Sequence, residues 1–377
     1  MEAGAAEGRK EKITGMKMKE LDKHALIETA CQDLLTYGVW DGRKRMKYLL
    51  RKYVLRRKAA PEDTIFWPTG LLAAGLWHCR QEMKREQAGT VMIDLVLEAY
   101  YDRWFGRGCP ILWLDDLLAG ETLLDIYEDY RAAGGDNGIV HAKNCERYRQ
   151  AIEQLAVYSF IYPVNETGSF PYREDQDRNR IFVDSVGLAC PFLYRYGVFC
   201  GRQEAMEQSV KQIVNFLAYG MDASTGLPYH GYSIADDCKY GIIGWGRAVG
   251  WLLRGMTGCM TTEYGRVRLE DSCIRTVDAA LAFQRRDGAF CWQLQAVEGP
   301  ADTSATGMIC VALKQGIKLG ILQEEKYERA LQSGVAFIEK CTREGRVYQC
   351  SGECEGFGQY PQRYGAYPWA LGTALML

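Results

Sequence analysis

The chain has 377 residues, of which 47% are hydrophobic and 25% are charged, a composition that excludes disordered, collagen-like and low-complexity proteins. Lys and Arg number 46 and Asp and Glu 48, so a formal net charge of −2 offers no global field for nucleic acid or an anionic membrane. No segment has the apolar length of a membrane span or the pattern of an export signal. These features predict a cytoplasmic protein that binds neither nucleic acid nor membrane.

The 14 cysteines are scattered and form no Cys-x-x-Cys pair. Cys350 and Cys354 are the nearest to a ligand pair, but they have no histidine nearby, as a structural zinc site would require. We therefore expect most cysteines to be buried thiols, and we expect neither a metal nor a cofactor.

The chain begins with a polar segment, and we predict a tail over residues 1–20 followed by a single domain over residues 21–377. The first distinctive stretch, Arg43–Lys58, has nine basic residues in sixteen. An apolar stripe at helical spacing accompanies them, formed by Met46, Leu49, Leu50, Tyr53 and Val54. Such a helix can dock on acidic partners or lipid, but the near-neutral net charge favours an outer helix with a solvated face.

Five segments further along share a turn glycine followed by alternating apolar or aromatic residues. These glycines are separated by 60, 58, 62 and 57 residues and are Gly108, Gly168, Gly226, Gly288 and Gly345. Each interval has room for two helices, as the periodicity of Glu204–Gly220 and Thr303–Gly320 illustrates. A period of about 60 residues with two helices per unit predicts six helical hairpins.

Such hairpins stack either as an open solenoid or as a closed ring. An open array needs a polar capping repeat, whereas the last segment, Tyr364–Leu377, is apolar and rich in small residues. We therefore predict an all-α, single-domain (α/α)6 toroid with concentric inner and outer helices.

Unusual residues recur where the chain enters the second helix of each hairpin. In a closed ring these positions face one rim, which predicts that they line a common cavity. They include Asp115, Asp184, Trp245, Arg247 and Asp302. Each has a structural alternative: an aspartate before a helix usually caps it, a tryptophan at helical spacing usually belongs to the core, and Arg247 could serve only as an ion-pair partner. His230, one of four histidines, has the alternative of a satisfied semi-buried side chain.

Seven segments carry a family resemblance, in order from about Thr64 to the C-terminus. They are WPTGLL (Trp67–Leu72), LDDLLAG (Leu114–Gly120), FVDSVGLACPFLYRYG (Phe182–Gly197), TGLPYHGYS (Thr225–Ser233), GWGRAVGW (Gly244–Trp251), DTSATGM (Asp302–Met308) and RYGAYPWALG (Arg363–Gly372). Together they resemble the unsaturated glucuronyl and rhamnogalacturonyl hydrolases of glycoside hydrolase families 88 and 105. That resemblance implies an (α/α)6 toroid that removes a 4,5-unsaturated uronic acid from the non-reducing end of lyase-generated oligosaccharides.

The resemblance also implies roles for individual residues. Asp184 matches the acid/base, and Asp115 matches a second aspartate that binds the sugar and tunes the first. The positions that bind the unsaturated sugar match His230, Trp245, Arg247 and Trp251. We expect Arg247 to neutralise the uronate, and we expect Trp67, Tyr172 and Trp251 to stack on the sugar or shape the pocket.

Three positions depart from the family pattern: Ser233, where an acidic residue is frequent; Val249, where a polar residue is common; and Tyr172, where histidine occurs. The first two are expected in or beside the sugar site, and they leave the leaving-group sugar and the uronate linkage open. Two other functions also stay open: a different glycosidase, lyase or epimerase on the same scaffold, and a non-catalytic carbohydrate-binding scaffold. The predicted partner is an unsaturated uronate-terminated oligosaccharide, and the predicted state is a monomer or homodimer.

Overall fold

A computed structural model describes residues 20–56, 61–173 and 178–377. Thirteen α-helices lie in this part of the chain: α1 Glu20–Thr36, α2 Gly42–Leu49, α3 Trp67–Arg85, α4 Val91–Phe105, α5 Leu117–Ala132, α6 Cys145–Ile161, α7 Asp184–Cys200, α8 Gln203–Tyr219, α9 Gly246–Gly258, α10 Glu263–Leu281, α11 Thr303–Lys318, α12 Glu325–Lys340 and α13 Pro368–Ala374. Residues 1–19 of the predicted tail lie outside the described residues, and residue 20 already belongs to α1.

The helices form two concentric layers. Inner helices α3, α5, α7, α9, α11 and α13 pack in that order, and α13 returns to pack on α3. Outer helices α1, α4, α6, α8, α10 and α12 each pack on an inner helix. The predicted (α/α)6 toroid is confirmed. The described helices include none with the length and apolarity needed to cross a bilayer.

Two glycines allow the ring to close. A Cβ on Gly75 of α3 would lie 2.5 Å from the carbonyl oxygen of Gly372, and a Cβ on Gly372 of α13 would lie 2.5 Å from the carbonyl oxygen of Leu71. Because both contacts are with backbone atoms, a side chain at either position would force the two helices apart. The apolar segment that contains α13 therefore packs against the first inner helix.

The five repeated glycines all have a positive φ, between 69° and 89°. That conformation is costly for residues with a Cβ, which explains why glycine recurs at this point of each unit. Short strands follow or flank these turns: β1 Arg180–Phe182, β2 Gly231–Ser233, β3 Cys238–Tyr240, β4 Thr342–Arg343, β5 Arg346–Val347, β6 Cys350–Ser351 and β7 Tyr364–Gly365. The antiparallel sheet β1-β2-β3 ties the loop before α7 to the loop before α9.

The basic segment differs from its prediction. Its residues 57 and 58 lie outside the described part of the chain, and the rest contributes to α2 and a following π-helical turn, Leu50–Val54, which are additional to the six outer helices. The side chains of its apolar stripe are exposed, from 46% at Leu49 to 68% at Val54, so the stripe does not pack on the ring. The helix and its apolar stripe were predicted from the sequence, but helical periodicity alone does not reveal whether an apolar face packs against another part of the protein.

Replacement of Gly288 by alanine tests the role of the turn glycines. Its Cβ would overlap the backbone carbonyl of Ser333 on α12, and φ is 89°. We expect Gly288→Ala to lower the free energy of unfolding by at least about 3 kcal/mol, measured by denaturant titration.

Gly201→Ala is the matched control, because φ is 67° there and no atom lies within 4 Å of the added Cβ. It should cost only about 1 kcal/mol, which is the backbone strain alone. Equal losses in the two variants would show that the contact with α12 does not matter.

Candidate active site

The inner helices begin at one end of the ring, and a cavity of about 300 Å³ opens there. Seven of the eight predicted site residues line it: Trp67, Tyr172, Asp184, His230, Trp245, Arg247 and Trp251. The eighth, Asp115, is buried and does not line the cavity, but it is hydrogen-bonded to Arg173, which does. The convergence of these residues follows from the ring, since equivalent turns of successive hairpins face the same end.

Asp184 is the first residue of α7, and its carboxylate reaches the cavity. Val183 is the N-cap residue of α7, and no side chain makes a capping hydrogen bond there. Asp184 is therefore not the helix cap that the structural alternative required. Its Oδ2 lies 3.1 Å from Nε2 of His230. The side chain of Asp184 is 14% exposed and that of His230 is 1% exposed, so this pair is largely screened from water while the carboxylate still meets the cavity. His230 is thus both buried and engaged with the candidate acid/base.

Asp115 is connected to the cavity lining by Arg173. The guanidinium Nη1 of Arg173 donates to Asp115 Oδ1 at 2.9 Å and covers the carboxylate. Burial raises the pKa of Asp115, the charge of Arg173 opposes that shift, and the nearby charge of Asp184 adds to it. The charge of Asp184 is therefore part of the electrostatic environment of Asp115.

Two more carboxyls interact electrostatically with Asp115: that of Asp116, which is buried, and that of Asp63, which is half-buried. Asp116 accepts from the backbone N–H of Leu112 at 2.7 Å and of Trp113 at 3.3 Å, which is a structural turn role. Its second oxygen, Oδ1, is buried and has no partner among the described hydrogen bonds. Burial and the charges of Asp63 and Asp115 raise the pKa of Asp116 well above its usual value, and burial followed by the charge of Asp115 raises the pKa of Asp63 to about 7. A proton held by one of these carboxyls satisfies the orphaned oxygen.

Arg247 lines the cavity, but its donors already serve the protein. Nη1 donates to the backbone oxygen of Ser351 at 3.0 Å and to its hydroxyl, and Nη2 donates to the backbone oxygen of Gly352 at 2.7 Å. Asp302 lies 3.8 Å from Nη1. These contacts give Arg247 a role that the sequence did not suggest: it clamps the start of the segment between β6 and β7.

Asp302 is the aspartate for which the structural alternative holds. It caps α11 by accepting from the backbone N–H of Ser304 at 2.9 Å, and it also accepts from the hydroxyl of Ser351 at 2.6 Å. The residue is fully buried. Its carboxylate therefore joins α11, β6 and Arg247 and does not face the cavity.

The predicted aromatic residues form most of the apolar wall. Trp67 and Trp251 meet edge to face with ring centroids 6.1 Å apart. The Trp245 ring lies 4.5 Å from the His230 ring and 4.8 Å from the Arg247 guanidinium carbon. Tyr172 packs 5.4 Å from Phe182 of β1. Flat faces of this kind suit the apolar faces of a sugar ring.

One side of the cavity was not predicted from the sequence. It is residues 352–363, which connect β6 to β7 and are called the strap here. Glu353 of the strap lines the cavity, and burial raises its pKa. Phe357 stacks on Phe182 with centroids 3.8 Å apart, and the Tyr360 hydroxyl lies 2.8 Å from Nδ1 of His230.

No local signal marks the strap as part of the site, because it follows the last turn glycine and lacks helical periodicity. Arg173 was also missed, although it ends the repeated segment that begins at Gly168. Its position beside Tyr172 could have suggested that it reaches the cavity.

The two departures expected beside the sugar do not line the cavity. Ser233 lies on β2, where its hydroxyl accepts from the backbone N–H of Asp236 at 3.3 Å, and Val249 is buried within α9. Neither belongs to the described cavity wall. They therefore give no direct information about the leaving-group sugar, contrary to the sequence-based expectation.

Asp63→Asn tests the buried carboxyl cluster through its pH dependence. The folded-state pKa of Asp63, about 7, exceeds the ordinary value of 3.8, so the folded state binds more protons and stability falls as pH rises between these values. The asparagine variant lacks this loss. Relative to the native chain, it should gain on the order of 1–2 kcal/mol of unfolding free energy between pH 5 and pH 8, measured by denaturant titration.

Asp271→Asn on the exposed side of α10 is the matched control and should show no such pH-dependent gain. If the free energy of unfolding depended on pH in the same way in the native chain and in Asp63→Asn, the proposed proton in the carboxyl cluster would be contradicted.

Comparisons with known proteins agree with this architecture. The profile of Glycosyl Hydrolase Family 88 matches residues 42–377. The unsaturated rhamnogalacturonyl hydrolase YesR of Bacillus subtilis is 24% identical over 328 residues, which is 82% of this chain and 87% of that protein. Protein Atu3128 of Agrobacterium fabrum is 29% identical over 160 residues, covering 39% of this chain and 68% of its own.

Solved structures share the fold at low sequence identity. A possible member of family GH105 from Klebsiella pneumoniae superposes with a TM-score of 0.77 at 16% identity, covering 95% of this chain and 92% of its own. The unsaturated glucuronyl hydrolase of Bacillus sp. GL1 gives 0.64 at 15% identity, covering 93% of each chain. The polysaccharide lyase BACCELL_00875 gives 0.60 at 13% identity, covering 93% of this chain and 95% of its own, so the ring itself does not distinguish hydrolases from lyases. The match over residues 42–377 establishes that the chain belongs to glycosyl hydrolase family 88.

Proposed function

We propose that this protein is a hydrolase that removes a 4,5-unsaturated uronic acid from the non-reducing end of lyase-generated oligosaccharides. One observation carries the proposal: the Asp184 carboxylate, backed by His230, lies in the wall of a cavity of about 300 Å³ that also contains arginine side chains. That volume is at the lower end for ligand sites and suits one sugar ring. A site for one terminal ring matches an enzyme that acts at chain ends.

Two cations can meet the uronate carboxylate. Arg173 and Arg247 both line the described cavity. Arg173 is 22% exposed at its side chain and rests on the rings of Trp113 and Tyr172, at 4.3 and 4.6 Å. Arg247 is 3% exposed and clamps the strap. The substrate carboxylate would therefore meet Arg173 first and receive longer-range support from Arg247.

The chemistry requires an acid that is later a base. The substrate has a C4=C5 double bond conjugated with the ring oxygen. Protonated Asp184 would give its proton to C4, the π electrons would form the new C–H bond, and positive charge would develop at C5 and the ring oxygen. Water would then add to C5 and return a proton to the Asp184 carboxylate.

Breakdown of the hydrated sugar completes the reaction. The hemiketal at C5 opens to a ketone as the C5–O bond of the ring breaks and the ring oxygen, still on C1, takes up a proton. The resulting hemiacetal at C1 then collapses to an aldehyde and releases the leaving sugar as an alcohol. This route differs from ordinary glycoside hydrolysis, in which the acid protonates the glycosidic oxygen directly. No metal ion is required by any of these steps.

Asp184→Asn tests the assignment of the acid. Hydration destroys the conjugated double bond, so activity is followed as loss of ultraviolet absorbance with unsaturated galacturonyl and glucuronyl disaccharides. We expect the asparagine variant to lose at least about 100-fold in kcat, because the amide cannot deliver the proton. Asp271→Asn should retain the native rate.

The same assay distinguishes the alternatives. A lyase would raise the absorbance of an intact uronate polysaccharide, because it creates the double bond. No decay with either class of disaccharide would refute the hydrolase, and a folded Asp184→Asn variant with full rate would refute the assigned acid.

Arg173→Gln tests recognition of the uronate. We expect KM to rise about tenfold or more, because a charge-assisted contact is lost. The methyl ester of the same unsaturated disaccharide lacks the charge, so its kcat/KM should be lowered much less by the substitution. Arg147→Gln on the outer helix α6 is the control and should leave both substrates unaffected. Equal losses for the acid and the ester would show that Arg173 does not bind the carboxylate.

A further inference from the structure

We propose that Tyr360 is a positioning residue that holds His230 in the tautomer protonated at Nε2, so that the imidazole donates to Asp184. Two hydrogen bonds form the path: the Tyr360 hydroxyl lies 2.8 Å from His230 Nδ1, and His230 Nε2 lies 3.1 Å from Asp184 Oδ2. The catalytic consequence rests on the function proposed above, whereas the tautomer itself can be measured independently.

The direction of each hydrogen bond follows from the donors available. The backbone N–H of Ile242 can only donate, and it lies 3.4 Å from the Tyr360 oxygen, so that oxygen acts as an acceptor there. The phenolic proton is then free to point at Nδ1 of His230. A neutral imidazole that accepts at Nδ1 carries its proton on Nε2, and that proton faces Asp184 Oδ2.

The opposite tautomer fits less well. A proton on Nδ1 would point at the Tyr360 oxygen, which would then accept twice and need another acceptor for its own proton. The Nε2 lone pair would face Asp184 Oδ2 across 3.1 Å, which is repulsive while Asp184 is ionised. Burial also raises the pKa of Tyr360, so its hydroxyl keeps the proton that it donates.

The surroundings hold Tyr360 in place. Its ring meets Trp245 and Trp292 at centroid distances of 5.7 and 5.8 Å. At Gly241, where φ is 80°, a Cβ would lie 2.5 Å from the Tyr360 hydroxyl and equally close to the His230 Cβ. The absence of a side chain at this turn gives the hydroxyl its approach to the imidazole. The strap and the loop before α9 are therefore shaped around this contact.

The arrangement gives the two oxygens of Asp184 different tasks. Oδ2 accepts from His230 in both protonation states of the carboxyl group, so the exchangeable proton of Asp184 is carried on Oδ1. A carboxyl that presents its proton on one fixed oxygen needs no rotation before proton transfer, which is a form of preorganisation. Tyr360 touches His230 and not the reacting atoms, so its effect on the reaction passes through the imidazole.

Nitrogen NMR of histidine-labelled protein tests the tautomer without substrate. The chain has four histidines, and a His230→Asn sample identifies the resonances of His230. In the native protein we expect protonated Nε2 and unprotonated Nδ1 at neutral pH. In Tyr360→Phe, which lacks only the hydroxyl, the contact with Asp184 alone selects the tautomer, so we expect a detectable fraction of the Nδ1-protonated form to appear, while the signals of the other histidines report that the fold is intact.

Tyr364→Phe is the matched control, since its hydroxyl donates to Gln362 near the end of the strap. It should preserve the native His230 signals and the native rate. With an unsaturated uronyl disaccharide, Tyr360→Phe should lower kcat about tenfold and change KM by less than about twofold.

The outcomes separate the two proposals. Protonated Nδ1 in the native protein, or an unchanged His230 spectrum in Tyr360→Phe, overturns the role of Tyr360 whatever the activity. A shifted tautomer in Tyr360→Phe supports the role of Tyr360 even where no unsaturated uronate is hydrolysed, in which case the proposed function alone fails.

Discussion

Closure of the inner ring is the constraint on which the site depends. The backbones of α3 and α13 approach closely at Gly75 and Gly372, and this contact joins the last inner helix to the first. The strap is joined to α13 through β7, so the same closure holds it at the cavity that residues of α3, α7 and α9 line. Removal of the close approach would therefore disturb the wall that carries Glu353 and Tyr360 as well as the packing of two helices.

The electrostatics of the site divide between groups that face the cavity and groups that support it. The ring turns the N-terminal ends of its inner helices toward one opening, where their partial positive charge favours anions. Asp184 lies in the first turn of α7 and reaches the cavity. Asp302, by contrast, caps α11 and lies beside Arg247. Two aspartates at similar points of the repeat thus have different surroundings. Only Asp302 caps a helix and contacts Ser351 and Arg247.

The sequence was most informative where backbone geometry restricts the residue type. Turn glycines with positive φ and apolar helical periodicity yielded the hairpins and their closure, and hence the convergence of Asp184, His230 and Trp251. It was least informative about contacts between distant loops. The pairing of Arg173 with Asp115 and the occupation of Arg247 by strap oxygens depend on three-dimensional approach, which no local pattern records. For the same reason the exposed stripe of α2 could not be distinguished from a packed one.

The low sequence identity between this chain and its relatives follows from the different requirements of the fold and of the site. Helix packing in the ring depends on volume and apolar periodicity, which many combinations of residues satisfy, so the fold persists at 16% identity with a TM-score of 0.77. The proton transfer that we propose depends on particular atoms at particular distances, and the residues assigned to it lie at the turns and first helical residues. The segments that carried the family resemblance lie mostly at these entries to the inner helices. The resemblance could therefore be read from short motifs even though most of the chain has diverged.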